Sequence, residues 1–156
     1  MDKIIYELII SWRARAKNIK DKGLSDEFIN FFIYYMCLDA WITNESQAEN
    51  DKEKNKWLIN EGGSLKSTFT GKNFNMEDII ALKLLSPIED MRPNYRGTMV
   101  YLKDTENIEE VVNFIYQIRC NLFHGGKNPE NWKDKDLVFL AGNFLEKWIT
   151  CACLKI

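Results

Sequence analysis

The stretch from Phe28 to Ile42 limits the folds open to this chain more than any other. Ser25, Asp26 and Glu27 precede it as a helix start, a capping hydroxyl followed by acids for the first turn. Then come Phe28, Ile29, Phe31, Phe32, Ile33, Tyr34, Tyr35, Met36, Leu38, Trp41 and Ile42, which leave almost no face polar. A helix apolar on most faces must be covered on most faces, so it is central to a bundle or also meets a partner subunit. Asp39 is the one acid deep in this run and needs a partner.

The flanking segments supply the cover. Residues 3–20 place Ile4, Ile5, Leu8, Ile9 and Trp12 at helical spacing, with basic residues toward the end and Gly23 as the stop. From Asn44 the composition turns polar. Glu49 to Glu61 is helical on this reading, anchored by Trp57, Leu58 and Ile59 and ended by Gly62-Gly63, and Ser64 to Asn75 reads as loop. Asn75 is placed to cap a short helix, Met76 to Ser86, which stops before Pro87. Pro87 to Thr105 has no helical pattern, and Thr98 to Leu102 is a candidate strand with no evident partner. Asn107 to Phe123 is a long amphipathic helix, and a last helix runs from Asp134 or Asp136 to about Leu154. The expectation is an all-α bundle of four main helices with one or two short extra ones and little or no sheet, forming a single domain over 1–156.

Composition narrows the function. A formal net charge of -2 and a pI near 5.5 give no whole-molecule attraction for a polyanion, so any such site is local. Cys37, Cys120, Cys151 and Cys153 form no C-x-x-C pair, and one histidine cannot complete a Cys/His zinc set. No metal and no cofactor are expected. Free cysteines on helices suit a reduced, cytoplasmic compartment. No leader-like apolar segment is expected at the start, and the run Phe31 to Leu38 is read as core rather than a membrane span.

The Asn107–Phe123 helix carries the chemical signal. On a wheel of about 100° per residue, Ile108, Val111, Val112, Ile115, Ile118 and Leu122 share one sector, and Arg119 falls inside it. An unpaired guanidinium among aliphatic groups costs several kcal/mol, so Arg119 must meet an acid, a cavity or a bound anion. Asp39 is an available acid. His124, the only histidine, follows five residues later beside Gly125-Gly126, a pair that lets the last helical turn unwind. In the connection before this helix, Arg92, Tyr95 and Arg96 interleave basic and aromatic groups, either as a solvated loop or as a contact for a polyanion.

The run Arg119-Cys120-Asn121-Leu122-Phe123-His124-Gly125-Gly126-Lys127 resembles the R-x4-H motif of the HEPN superfamily. It stands late in the chain, at the end of a long helix with one helix after it, as in that family. The resemblance implies a four-helical, up-and-down bundle that forms a symmetric homodimer, and metal-independent endoribonuclease activity in toxin–antitoxin, phage-defence or RNA-processing settings. It makes Arg119 and His124 the catalytic pair. Beside them, Asn121 is expected to orient phosphate or His124, and Lys127 to help bind the RNA backbone. The position after the arginine is often Asn, Asp or His in the family, whereas here it is Cys120.

RNA is cut without metal when its 2′-hydroxyl attacks the adjacent phosphorus, leaving a 2′,3′-cyclic phosphate. That step needs a base, an acid and positive charge on the phosphoryl oxygens. Histidine suits the proton transfers near neutral pH, and the arginine fork suits the phosphorane oxygens. One chain offers one histidine, so a two-fold pair of helix ends, using the 107–124 helix and part of the 25–43 helix, would complete the site. Two other readings compete: a non-catalytic dimer that binds RNA, a nucleotide or a protein partner such as an antitoxin, and a structural subunit in which Arg119 pairs with Asp39.

Overall fold

A computed structural model of the chain describes residues 26–123 and 132–154, together with positions 3, 7 and 11. Among these residues there are six α-helices: α1 (Asp26–Ser46), α2 (Asp51–Asn60), α3 (Gly63–Thr70), α4 (Glu77–Leu84), α5 (Ile108–Phe123) and α6 (Trp132–Leu154). Between α4 and α5 lie two short strands, β1 (Ile88–Glu89) and β2 (Met99–Val100), and a 3-10 turn at Pro93–Tyr95. The fold is an all-α helical bundle, as the hydrophobic patterns require.

The two longest helices form its centre. α1 packs most extensively against α6, and at their crossing Gly142 is needed for close approach. A Cβ there would stand 3.1 Å from the Phe31 backbone nitrogen. α3 and α4 cover other parts of α6. Phe69 and Phe144 both set their rings 5.6 Å from fully buried Trp148. The Trp148 indole N–H donates to the Leu65 carbonyl at 2.8 Å, so the largest core side chain leaves no buried donor unpaired. At the bundle's margin, Lys147 reaches Asp78 at 2.5 Å and the Tyr34 hydroxyl donates to Glu146 at 2.8 Å.

Three elements differ from the sequence reading. The segment read as loop after Gly62-Gly63 begins with α3. Both glycines have positive φ, 57° and 49°, so the chain turns sharply and restarts as a helix instead of ending. Leu65, Thr68 and Phe69 then stack on one buried face at i, i+3 and i+4. Burying Leu65 and Phe69 contributes about 2 kcal/mol each, more than the few tenths per residue that Ser and Thr cost a helix. The candidate strand at Thr98–Leu102 does have a partner: Ile88 pairs with Val100 and Glu89 with Met99, antiparallel. Gly97, at φ 88°, provides the turn that returns the chain to β1. The last helix starts at Trp132, earlier than Asp134.

Length and composition make Lys133–Leu154 a helix able to cross a membrane. Yet 56% of that window is buried inside the bundle, and its apolar content is accounted for by contacts with α1, α3 and α4.

Candidate functional site

α5 brings the chemically distinctive residues together. The Asn107 side chain accepts from the Glu109 amide at 3.0 Å, and Glu109 and Glu110 fill the first turn, so both cap and dipole favour a start here. Val111, Val112, Phe114, Ile115 and Ile118 are buried toward the core. Tyr116 and Arg119 lie at the edge of that stripe, partly exposed, where α2 passes.

Arg119 does meet an acid, but it is Asp51 rather than Asp39. An Arg119 terminal nitrogen donates to Asp51 Oδ2 at 3.2 Å, and the Tyr116 hydroxyl donates to the same oxygen at 3.2 Å. Asp39 instead takes Lys54 at 3.0 Å, which answers its place in an apolar helix. The reach decides the pairing: α2 lies beside both α1 and α5, and its first two turns offer Asp51 to one and Lys54 to the other. Asn50 fixes that register by accepting from the Glu53 amide at 3.0 Å.

The rest of the guanidinium is surrounded by rings. Its central carbon lies 5.0 Å from the Phe123 ring centre and 5.8 Å from those of Tyr35 and Tyr116. Arg119 Nε is buried and has no hydrogen-bond partner among the described residues. Asp51 and Arg119 side chains keep 38% and 29% of their exposure, so this single contact has the strength of a surface pair, about 1 kcal/mol or less. Burial works against the Arg119 charge, but Tyr35 and Asp51 outweigh it and hold the pKa above its ordinary value. Burial likewise pushes the Tyr35 and Tyr116 phenols well up. Neither tyrosine is therefore a base near neutral pH. Under the cluster is a cavity of about 20 Å³, the room of one water molecule; Tyr35, Asp39, Asp51, Lys54 and Tyr116 contribute its polar lining.

The expected supporting residues are placed otherwise. Asn121 is only 1% exposed. Its Nδ2 donates to the Glu89 carbonyl at 2.7 Å, and its Oδ1 accepts from the Met91 amide at 2.9 Å and from Gln117 Nε2 at 2.8 Å. The amide thus ties β1 and the connection after it to α5. Cys120 is buried. Arg92 donates to Asp90 through Nε at 3.0 Å and through a terminal nitrogen at 2.6 Å, and it lies 4.5 Å over the Tyr95 ring. The Arg92 side-chain hydrogen bonds hold the Asp90 carboxyl below its usual range. Arg96 is exposed at the end of the 3-10 turn. His124 and Lys127 lie outside the described residues, as does the 3–20 helix apart from helical positions 3, 7 and 11.

Sequence reasoning missed Asp51, Tyr35 and Tyr116. An acid one residue after a capping Asn is expected on dipole grounds alone, so nothing in the local pattern singles out Asp51. Tyr116 did carry a signal, because it stands three residues before Arg119 and so one helical turn from it. Among the described residues no group of three or more His, Cys, Asp or Glu side chains is arranged to hold a metal ion. No family model, curated protein or solved structure matches the chain.

Proposed function

We propose that this chain is a HEPN-like, metal-independent endoribonuclease that cuts RNA by 2′-hydroxyl attack, with toxin or phage-defence use as its setting. The observation that supports this reading is the state of Arg119. It is a partly exposed guanidinium near a helix end, held among the described residues by one weak carboxylate contact and with its Nε unpaired there. An arginine kept only for structure would be expected to grip its acid through two nitrogens, as Arg92 grips Asp90. A phosphate would satisfy the rest of the Arg119 fork.

In the proposed reaction Arg119 donates to the phosphoryl oxygens as negative charge develops on them. His124 takes the 2′-hydroxyl proton or delivers one to the departing 5′-oxygen. A second copy of the chain, apposed through the α5 end and part of α1, supplies the other histidine. The ring contact between Phe32 and Phe123, 5.9 Å apart at those two helices, and the 53% exposure of Phe123 agree with a partner covering this edge.

The non-catalytic reading, a dimer that only binds RNA, a nucleotide or a protein partner, draws its support from Asp51 and Cys120. Asp51 already occupies part of the Arg119 fork, and Cys120 offers a buried thiol where the family often has a polar group. Incubation of purified protein with RNA in EDTA separates the two. Cleavage leaving 2′,3′-cyclic phosphate ends, lost in Arg119→Ala and His124→Ala, supports the nuclease; binding without cleavage supports the alternative.

A further inference from the structure

The β1–β2 hairpin has two outer edges, and among the described residues only one of them is closed. In an antiparallel pair, residues that exchange main-chain bonds alternate with residues that do not. The Asp90 amide donates to the Thr98 carbonyl at 2.8 Å, two steps along from the Ile88–Val100 pair, and the Leu102 amide donates back to Ser86 Oγ at 2.8 Å. Thr98, Val100 and Leu102 therefore turn their main-chain groups toward β1, and Met99 and Tyr101 turn theirs away. On β1 the outward groups are the Glu89 carbonyl and the Met91 amide, and the Asn121 side chain closes both. On β2 and just after it, the amides and carbonyls of Met99 and Tyr101 have no hydrogen-bond partner among the described residues. Both side chains are exposed.

This open edge borders a groove of about 850 Å³ between α2, the hairpin and α5, in which Thr98 to Tyr101 form one wall. We propose that β2 is a docking edge for an extended segment of a partner protein, added to the hairpin as a third strand. The inference goes beyond the ribonuclease reading and does not depend on it.

The charges of the groove select the occupant. Lys52, Lys56 and Arg92 are matched in number by Asp90, Glu109 and Glu110, so the groove as a whole offers no net field to a polyion. Main-chain donors and acceptors recognise a polypeptide whatever its net charge. Within that balance, Arg92 closes on Asp90, and Glu110 accepts from the amides of Lys103 and Asp104 at 2.7 and 2.9 Å. Lys52 and Lys56, exposed one helical turn apart on α2, form no ion pair among the described residues, and neither does exposed Glu109 on α5. The matching segment therefore carries an acid toward α2 and a base toward Glu109. A strand as short as Met99–Val100 limits pairing between copies of the chain. Its outward groups still suffice to align a partner strand over about three residues.

The probe is a fluorescein-labelled peptide of about ten residues, built of valine and threonine with one glutamate and one lysine, read by anisotropy against the full-length protein. It should bind with a Kd on the order of 100 μM, because few main-chain bonds form and each is worth little net of water. Met99→Pro takes away one outward donor; that N–H makes no ladder bond, so the fold tolerates proline there. The variant should bind about fivefold more weakly or worse, at an unchanged thermal midpoint. Lys52→Ala/Lys56→Ala should weaken binding about threefold at low salt and less at high salt. The same peptide with its main-chain amides N-methylated should lose binding, a result that holds whether or not the proline variant folds. Equal binding of the peptide to the parent and to folded Met99→Pro overturns the proposal. So does equal binding of the N-methylated peptide, since side chains alone would then hold it. No binding by the parent at about 1 mM peptide overturns it too. Self-association that Met99→Pro abolishes would give the edge to a second copy and equally overturn the partner assignment. RNA cleavage enters none of these readouts, so the ribonuclease reading stands or falls separately.

Discussion

Two arginines near one another in the fold, Arg92 and Arg119, hold their carboxylates in opposite ways. Arg92 grips Asp90 through two nitrogens, and that carboxylate is only 4% exposed. Arg119 touches Asp51 through one nitrogen, at 3.2 Å, and its Nε has no acceptor among the described residues. The first is a closed pair, its carboxylate gripped by two nitrogens of one fork. The second is a cation held in place chiefly by the edges and faces of three rings. Stability should therefore reside with Arg92, and chemistry with Arg119.

Substitution of each arginine is the most direct way to break that contrast. Arg119→Met keeps the apolar stem against Tyr35, Tyr116 and Phe123 while removing the fork and the unpaired Nε. RNA cleavage should fall on the order of 100-fold or more, the usual loss when a donor to a developing oxyanion is removed. Unfolding free energy should stay within about 1 kcal/mol of the parent, because the lost contact is a surface-strength pair. Arg92→Ala should do the reverse. It strands a nearly buried carboxylate, costing about 2 kcal/mol in denaturant unfolding, while RNA cleavage by the folded protein stays near the parent rate. If Arg119→Met proved the more destabilising of the two, the contrast would be inverted and Arg119 would be a structural residue.

The bundle was legible because burial sets periodicity: the apolar circumference of α1 and the stripe of α5 leave no other arrangement for these helices. α3 was not legible, because Ser, Thr and Gly in Gly63–Thr70 give loop-like local preference and only the tertiary burial of Leu65 and Phe69 reverses it. At the site, the misfit of Arg119 within an apolar sector called for an acid, a cavity or a bound anion, and an acid stands beside it. Which acid it was depended on how α2 packs between α1 and α5, a property of three-dimensional placement that no spacing within α5 encodes. Asn121 illustrates the same limit. Its bonds to the Glu89 carbonyl and the Met91 amide depend on the hairpin, residues 88–100, folding back onto α5, which no spacing within α5 encodes.

The acids sharpen the comparison with smaller effects. Asp51→Asn removes the charge that competes for the Arg119 fork, so single-stranded RNA should bind about threefold more tightly at low salt, with stability altered by about 1 kcal/mol or less. For Asp90 the effect lies in the pH dependence. Its folded pKa is depressed by Arg92, so the pair's contribution is fully present above the unfolded carboxyl value of about 4 and is lost as pH falls through the lower folded value. Asp90→Asn should remove that part of the acid loss, giving a flatter stability curve below about pH 4 from denaturant midpoints taken at successive pH values. An equal flattening in Asp51→Asn would mean that the two carboxylates are held alike. An unchanged slope in Asp90→Asn would mean that the bidentate grip does not depress Asp90 enough to matter, and the distinction between a closed pair and an open one would lose its energetic basis.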